Sequence, residues 1–179
     1  VSLSSDGLIV AIGAIANAGN GAFSGHVRIY ENQLGSWVQI GADIDGEASG
    51  DESGYSTSLS SDGSIVAIGA RFNDGNGNSS GHVRIFENQL GSWVQIGADI
   101  DGEASSDQSG HSIDLSSDGS IVAIGALNND GNGANSGHVR IYQNQMGSWV
   151  QIGVDIDGEA VGDYSGYSVN LSSDGSVVA

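Results

Sequence analysis

The sequence predicts an all-β protein made of tandem four-stranded antiparallel units, of the kind that form the blades of a β-propeller, in an open or partial array. Three observations support this prediction. The 179 residues repeat with a period of 56, and each copy contains four short strand-like segments without helical periodicity. The first long strand of a copy is apolar on both faces, whereas later strands mix apolar and polar positions, as expected for inner and outer strands of a blade.

The repeat divides the whole chain. The copies are residues 1–56, 57–112 and 113–168, and a fourth copy begins at 169–179. Copies one and two agree at 45 of 56 positions, and copies two and three at 42. Units this similar are expected to stack and to bury their faces against one another, so we predict a single repeat array without a separate linker.

Copy two illustrates the elements in order. They are a short strand at 58–61, a turn at 61–63, an apolar strand at 64–70, a glycine-rich loop at 73–81, strands at 82–86 and 92–96, and an acidic connector at 99–107. The Ser-Asp-Gly turn and the β-branched run after it predict a hairpin whose second strand is buried on both faces. The strand at 82–86 alternates, with Val83 and Ile85 on one face and polar residues on the other.

Two segments of each copy carry a family resemblance. In copy two, Ser53 to Ala70 ends in Gly-Ala, and Ser80 to Phe86 contains Gly-x-Val-x-Ile followed by an aromatic residue. These segments resemble the FG-GAP repeat of integrin-α-like propellers and their bacterial and algal relatives. The resemblance implies propeller blades at the cell surface. The phenylalanine of the family's Phe-Gly pair is serine here, and the calcium loop of some members is a tight turn, so calcium at that place is not implied.

Composition excludes several classes of partner. The chain has 22 acidic residues, four arginines and no lysine, for a formal net charge of −18. Nucleic acids and anionic membranes require a basic surface, and none is available. No segment is long and apolar enough for membrane insertion. The absence of cysteine excludes disulfides and thiolate zinc sites.

The acidic connector is the candidate metal site, with the spacing Asp-x-Asp-Gly-Glu-x-x-x-Asp in every copy. Carboxylates crowded on one turn suit Ca²⁺, whose binding would relieve their mutual repulsion. The alternative is a solvated acidic turn that keeps the protein soluble. The candidate ligands are Asp43, Asp45, Glu47, Asp51, Asp99, Asp101, Glu103, Asp107, Asp155, Asp157, Glu159 and Asp163.

Other polar and aromatic residues also recur. Each copy carries a histidine two residues before an arginine, and a tryptophan in its last strand: His26, Arg28 and Trp37, then His82, Arg84 and Trp93, then His138, Arg140 and Trp149. We expect the histidine and arginine to pair with acidic turns, with anion binding as the alternative. The tryptophans are expected to pack between units, or else to stack on sugars. Asn78 and Asn170 lie in acceptor sequences for N-glycans.

A few residues do not repeat. His111 replaces the tyrosine found at Tyr55 and Tyr167, and much of the remaining variation lies in the glycine-rich loops and beside them, for example at Arg71. Varied positions on a repeated scaffold are where specificity for a partner would lie.

These features predict a non-catalytic extracellular or cell-surface protein, an adhesion or scaffold module that binds proteins or glycans. The alternatives are a structural filament built by end-to-end stacking and a lectin-like propeller. An enzyme is not predicted, because the paired carboxylates recur in every copy, which favours a structural role. Because both ends carry the same part of the repeat, we expect self-association or further repeats of a longer chain.

Overall fold

The computed structural model describes residues 1–179 and confirms the all-β class. Three antiparallel sheets follow one another along the chain, each about one copy long. Sheet 1 contains β1 (Ser2–Leu3), β2 (Ile9–Gly13), β3 (His26–Gln33), β4 (Ser36–Gln39) and β5 (Ile44–Asp45). Sheet 2 contains β6 (Ser56–Leu59), β7 (Ile65–Ala70), β8 (His82–Gln89), β9 (Ser92–Gln95) and β10 (Ile100–Asp101). Sheet 3 contains β11 (Ser112–Leu115), β12 (Ile121–Ala126), β13 (His138–Gln145), β14 (Ser148–Gln151) and β15 (Ile156–Asp157).

Each sheet has one strand more than the four predicted. The third strand is eight residues long, and its two halves have different outer partners. In sheet 2 the second half of β8 pairs with β9, whereas Val83 of the first half lies opposite Ile100 of β10. The outer strand is therefore interrupted after Gln95 and resumes for two residues, which bring the acidic connector beside the start of β8.

The Ser-Asp-Gly turn is closed by its own side chains. The carboxylate of Asp62 accepts hydrogen bonds from the hydroxyl of Ser60 at 2.7 Å and from the backbone N–H of Ser64 at 2.9 Å. Gly63 has a φ of +71°, a left-handed conformation that glycine adopts without steric cost. Successive turns are also joined, since the N–H of Ser61 donates to the carbonyl of Ser117 in the next copy at 2.8 Å.

The hydrophobic core lies between the sheets. One cluster joins sheets 1 and 2 and the other joins sheets 2 and 3, so each face of sheet 2 packs against a neighbour. The first comprises Ala11, Val27, Ile29, Ile44, Leu59, Val66, Ile68 and Phe86. The second comprises Ala67, Val83, Ile85, Ile100, Ile113, Leu115, Val122, Ile124 and Tyr142. Burial between units is the pattern that the repeat predicts.

Both faces of β8 are buried, although its alternation predicts a polar face. His82, Arg84 and Phe86 are all less than a tenth exposed. They share the face of sheet 2 that packs against sheet 1, and there the guanidinium of Arg84 donates to the backbone carbonyl of Asp45 at 2.7 Å. The polar residues are therefore inside the groove between two sheets rather than in solvent.

The inner strands of neighbouring sheets lie side by side, with β6 between β1 and β2 of sheet 1 and β11 of sheet 3. A side chain at Gly69 would collide with the carbonyl oxygen of Gly110, just before β11 of sheet 3, so the close approach requires glycine there. Residues 169–179 form a small hairpin in which Leu171 pairs with Val178. The arrangement is propeller-like. No membrane-spanning helix is present.

Candidate functional site

The structure divides the acidic residues of each connector between two places. The last aspartate of each connector turns back onto its own loop. Asp51 and Asp107 are buried, and each accepts a hydrogen bond from an asparagine of the next copy, Asn73 at 3.0 Å and Asn129 at 2.9 Å. Their counterpart in copy three, Asp163, is exposed and accepts only from the N–H of Ala160, at 2.8 Å. These three carboxylates close turns and lie apart from the rest.

Most of the other connector carboxylates lie beside the recurring histidines. The three groups whose ligand atoms lie within 4.8 Å of one another are His26 with Asp43 and Asp45, His82 with Glu47 and Asp99, and His138 with Glu103 and Asp155. The second and third groups combine residues of two copies, because the glutamate belongs to the preceding connector. Each of the three groups could hold a metal ion.

Asp101 and Glu159 stand outside these groups. The backbone carbonyl of Asp101 accepts a hydrogen bond from Arg140 at 2.8 Å, and partial burial together with the charge of Asp99 raises the pKa of its carboxyl. Glu159 is exposed, and no sheet follows its copy in the structure. Asp157 lies at the edge of the third group, 3.9 Å from the Nδ1 of His138.

Burial disfavours the charged form of two of the recurring histidines, His82 and His138. Burial, followed by the positive charge of Arg84, lowers the pKa of His82 to about 4, against the opposing effect of Asp99. Burial and Arg140 lower the pKa of His138 in the same way. These shifts disfavour the charged imidazoles that ion pairs with the carboxylates would require. Burial has the opposite effect on the acid Glu47, whose pKa it raises.

Two cavities lie between the outer strands of neighbouring sheets. The first has a volume of about 320 Å³, and its walls include Asp43 and Asp45 of sheet 1 and Arg84 and Trp93 of sheet 2. The second, of about 280 Å³, repeats this arrangement one copy later, with Trp149 in its wall. The indole N–H of Trp149 donates to the carbonyl of Ile96 at 2.9 Å. Trp93 and Trp149 thus pack between copies.

A different group of residues brings together positions at which the copies differ. The ring of His111 lies between those of Tyr55 and Tyr167, with both centroid distances at 5.1 Å. The guanidinium of Arg71 lies 3.7 Å from the centre of the Tyr55 ring and forms an ion pair with Glu52 at 2.9 Å. Copies one and three have isoleucine and leucine where copy two has Arg71. The group therefore occurs once.

His111 can act as a base. Its Nδ1 is buried without a hydrogen-bond partner. Burial first, and then the nearby charge of Arg71, lower the pKa of the imidazole and so disfavour its charged form. A neutral imidazole beside a guanidinium can accept a proton while the cation stabilises a developing negative charge. In the sequence, these residues were marked only by their departure from the repeat. Only the folded structure shows that they lie together.

The two predicted glycan acceptors are both exposed. Asn78 lies in the loop before β8, and Asn170 lies in the last hairpin, where its N–H donates to the carbonyl of Ala179 at 2.9 Å. Glycosylation at these residues stays a prediction.

No protein-family model and no curated protein matches the sequence. Solved structures similar to this chain include two named lactonases. One is a protein from Bacteroides uniformis ATCC 8492 provisionally named 6-phosphogluconolactonase, with a TM-score of 0.56 and 14% identity over 87% of this chain. The other is the periplasmic gluconolactonase of Pseudomonas aeruginosa, with a TM-score of 0.44 and 14% identity over 99% of this chain. The chain spans 39% and 62% of their respective lengths. The first likeness establishes a shared fold.

The first of these structures corrects the predictions about function. It overturns the expected non-catalytic module, whether for adhesion, as a scaffold, as a filament or as a lectin, because the protein that shares the fold is named as an enzyme. The expectation that the chain is not an enzyme is overturned for the same reason. The predicted protein or glycan ligands are overturned by the same finding, because that neighbour is named as a lactonase. The misleading signal was the repetition of the carboxylates in every copy, because it favoured a structural role over a catalytic one.

Proposed function

We propose that the protein hydrolyses a small sugar-derived lactone beside His111. The observation that carries this proposal is the convergence of residues that occur once in the repeat: a histidine, an arginine and a glutamate. A reaction centre on a repeated scaffold requires such a departure from the repeat. The shared fold with a protein named 6-phosphogluconolactonase supports the choice of substrate class.

The chemistry of lactone hydrolysis matches these residues. Water attacks the ring carbonyl carbon, and the electron pair of the carbonyl moves to its oxygen. His111 takes the proton from water and returns it to the ring oxygen when the bond between carbon and ring oxygen breaks, giving the hydroxy acid. Arg71 stabilises the negative charge on the former carbonyl oxygen, and Glu52 holds the guanidinium in place through their ion pair.

The two cavities between the outer strands are not assigned to the reaction. Neither of them is lined by His111. Both contain residues that recur in every copy, and Arg84 in the wall of the first already binds a backbone carbonyl. A repeated groove of this kind is suited to holding the sheets together.

The proposal includes the architecture and location of the protein. The three sheets would be blades of a β-propeller, in keeping with the resemblance to the FG-GAP repeat and with the propeller-like stacking of β6 between its neighbours. The protein would act outside the cytoplasm, which fractionation of the source cells would test.

Acid release from glucono-1,5-lactone and its 6-phosphate, followed at constant pH and corrected for spontaneous hydrolysis, tests the function. The key variants restore the residue of another copy, so they are expected to fold. His111→Tyr and Arg71→Leu should each lower kcat/KM by about 100-fold or more. The control Leu8→Ser, also an exchange between copies but at an exposed turn, should leave activity unchanged. Hydrolysis no faster than the spontaneous reaction, or full activity in both key variants, would overturn the proposal.

A further inference from the structure

The groove between sheets 2 and 3 contains a buried histidine without a partner. His138 is 1% exposed, and neither of its ring nitrogens has a hydrogen-bond partner. Its Nδ1 faces carboxylate oxygens of Glu103, Asp155 and Asp157, each at 3.9 Å. A buried polar atom is nearly always hydrogen-bonded, and 3.9 Å is too long for such a bond. The geometry therefore leaves an unsatisfied nitrogen directed at three carboxylates.

The spacing of these atoms is close to that of a metal-coordination shell. Ligand atoms about 2.0–2.1 Å from a tetrahedral ion lie about 3.3–3.4 Å from one another. The three contacts to Nδ1 are about half an ångström longer than this, and the ligand atoms of His138, Glu103 and Asp155 all lie within 4.8 Å of one another. The ligands come from two copies, Glu103 from the connector of copy two and the others from copy three. Arg140 lies 3.5 Å from the other oxygen of Glu103, which fixes that carboxylate at the groove.

The charge of the site also favours a divalent cation. Three carboxylates and one guanidinium surround the imidazole, so the carboxylates exceed the guanidinium by two negative charges. The pairs Glu47 and Asp99 around His82, and Asp43 and Asp45 around His26, form related but less acidic groups. The His138 group is therefore expected to bind most tightly of the three.

We infer that His138, Glu103, Asp155 and Asp157 form a binding site for a first-row divalent transition metal such as Zn²⁺, which joins sheet 2 to sheet 3. Calcium takes only oxygen ligands as a rule, whereas an imidazole nitrogen together with carboxylates suits zinc and its neighbours in the series. The sequence alone predicts calcium because the connector carries only oxygen ligands; β13, which pairs with β15, places His138 opposite Asp157 and supplies the nitrogen. The site shares no residue with the proposed lactonase site, so either proposal can fail without the other.

Isothermal titration calorimetry of the chelator-treated 179-residue chain with Zn²⁺, and separately with Ca²⁺, tests the inference. The wild type should bind Zn²⁺ at least tenfold more tightly than Ca²⁺. His138→Gln and Asp155→Asn should each weaken the tightest zinc site at least tenfold, whereas Asp174→Asn, which replaces an exposed aspartate of a turn outside the three groups, should not.

A spectroscopic measurement identifies the nitrogen ligand independently of stability. Co²⁺ should give visible absorption bands in the wild type that His138→Gln removes and Asp174→Asn retains. If His138→Gln fails to fold, Asp155→Asn provides the affinity comparison. Absence of zinc binding, calcium binding as tight as zinc, or unchanged zinc affinity in folded His138→Gln or Asp155→Asn would overturn the inference.

Discussion

Copies one and two place the same residues on matching strands, yet the arginines of β3 and β8 make different contacts. Arg28 binds the carboxylate of Asp43 within its own copy at 2.9 Å, and its side chain is 44% exposed. Arg84 instead reaches the preceding copy, where it contacts the carbonyl of Asp45 and the carboxylate of Glu47, and its side chain is 9% exposed. An arginine that makes a surface ion pair in one copy thus belongs to a buried interface in the next.

Apolar residues show the same contrast. Ile12 is 40% exposed, whereas its counterpart Ile68 is 1% exposed, because sheet 1 covers that face of sheet 2. Trp37 is 48% exposed, whereas Trp93 donates its N–H to the carbonyl of Ile40. The comparison teaches that the environment of a residue is set by the neighbouring copy more than by its own sheet. Stability should therefore reside in the interfaces between sheets.

The largest expected effect on stability comes from truncating a buried isoleucine at an interface between sheets. Ile68→Ala should lower the free energy of unfolding by about 2–5 kcal/mol, since it removes buried apolar surface and leaves a cavity. The matched Ile12→Ala should cost about 1 kcal/mol or less, because its side chain is already partly in solvent. Urea unfolding followed by tryptophan fluorescence measures both. Equal losses would contradict the comparison.

The tryptophans are expected to show a smaller difference. Trp93→Phe keeps most of the ring but removes the hydrogen bond to Ile40, so it should destabilise the protein by about 0.5–1.5 kcal/mol. Trp37→Phe removes no such bond and should be nearly neutral. The same unfolding experiment, monitored by circular dichroism so that the tryptophan signal is not needed, distinguishes them. A larger loss for Trp37→Phe would show that the hydrogen bond between copies contributes little.

The turn aspartates should show the smallest effect and no difference between copies. Hydrogen bonds from Ser64 and Ser60 lower the pKa of Asp62, and those from Ser4 and Leu8 lower that of Asp6. Because the folded pKa is depressed, each contributes stability above about pH 3.8 that is lost as the pH falls through the folded value. Asp62→Asn should cost less than about 1 kcal/mol at pH 7 and nothing at pH 2.

Acid titrations of unfolding for Asp62→Asn and Asp6→Asn check this prediction. The two variants should lose stability with the same sign and over the same range of pH, since both turns are closed by bonds within one copy. A pH dependence confined to Asp62→Asn would mean that even this turn depends on its neighbours.

Local pattern predicted much of the fold. The β-branched run that became β7 and the Ser-Asp-Gly turn before it are determined by residues adjacent in sequence, and both were predicted. The fifth strand was not, because the two residues Ile100 and Asp101 become a strand only by pairing with β8. The buried polar face of β8 was missed for the same reason, since sheet 1 supplies its cover.

The sequence predicted a candidate site only where all of its residues lie in one segment of the chain. The connector carboxylates were visible as a motif, but their division between turns and histidine groups depends on the approach of the next copy. His111 and Arg71 lie 40 positions apart in the sequence, and only the stacking of copies brings them to the same tyrosine. Departure from the repeat marked both residues without indicating that they meet.

The interruption of the outer strand has a consequence for behaviour in crowded solution. A long, flat edge strand offers a row of free backbone groups to other chains and promotes aggregation. Here β4 and β9 have four residues, β5 and β10 have two, and four residues ending in an aspartate separate each pair. Another molecule that approaches along this edge therefore finds only short segments to pair with, next to strong negative charge. The same break that places carboxylates beside the histidines also protects the sheet from joining foreign strands.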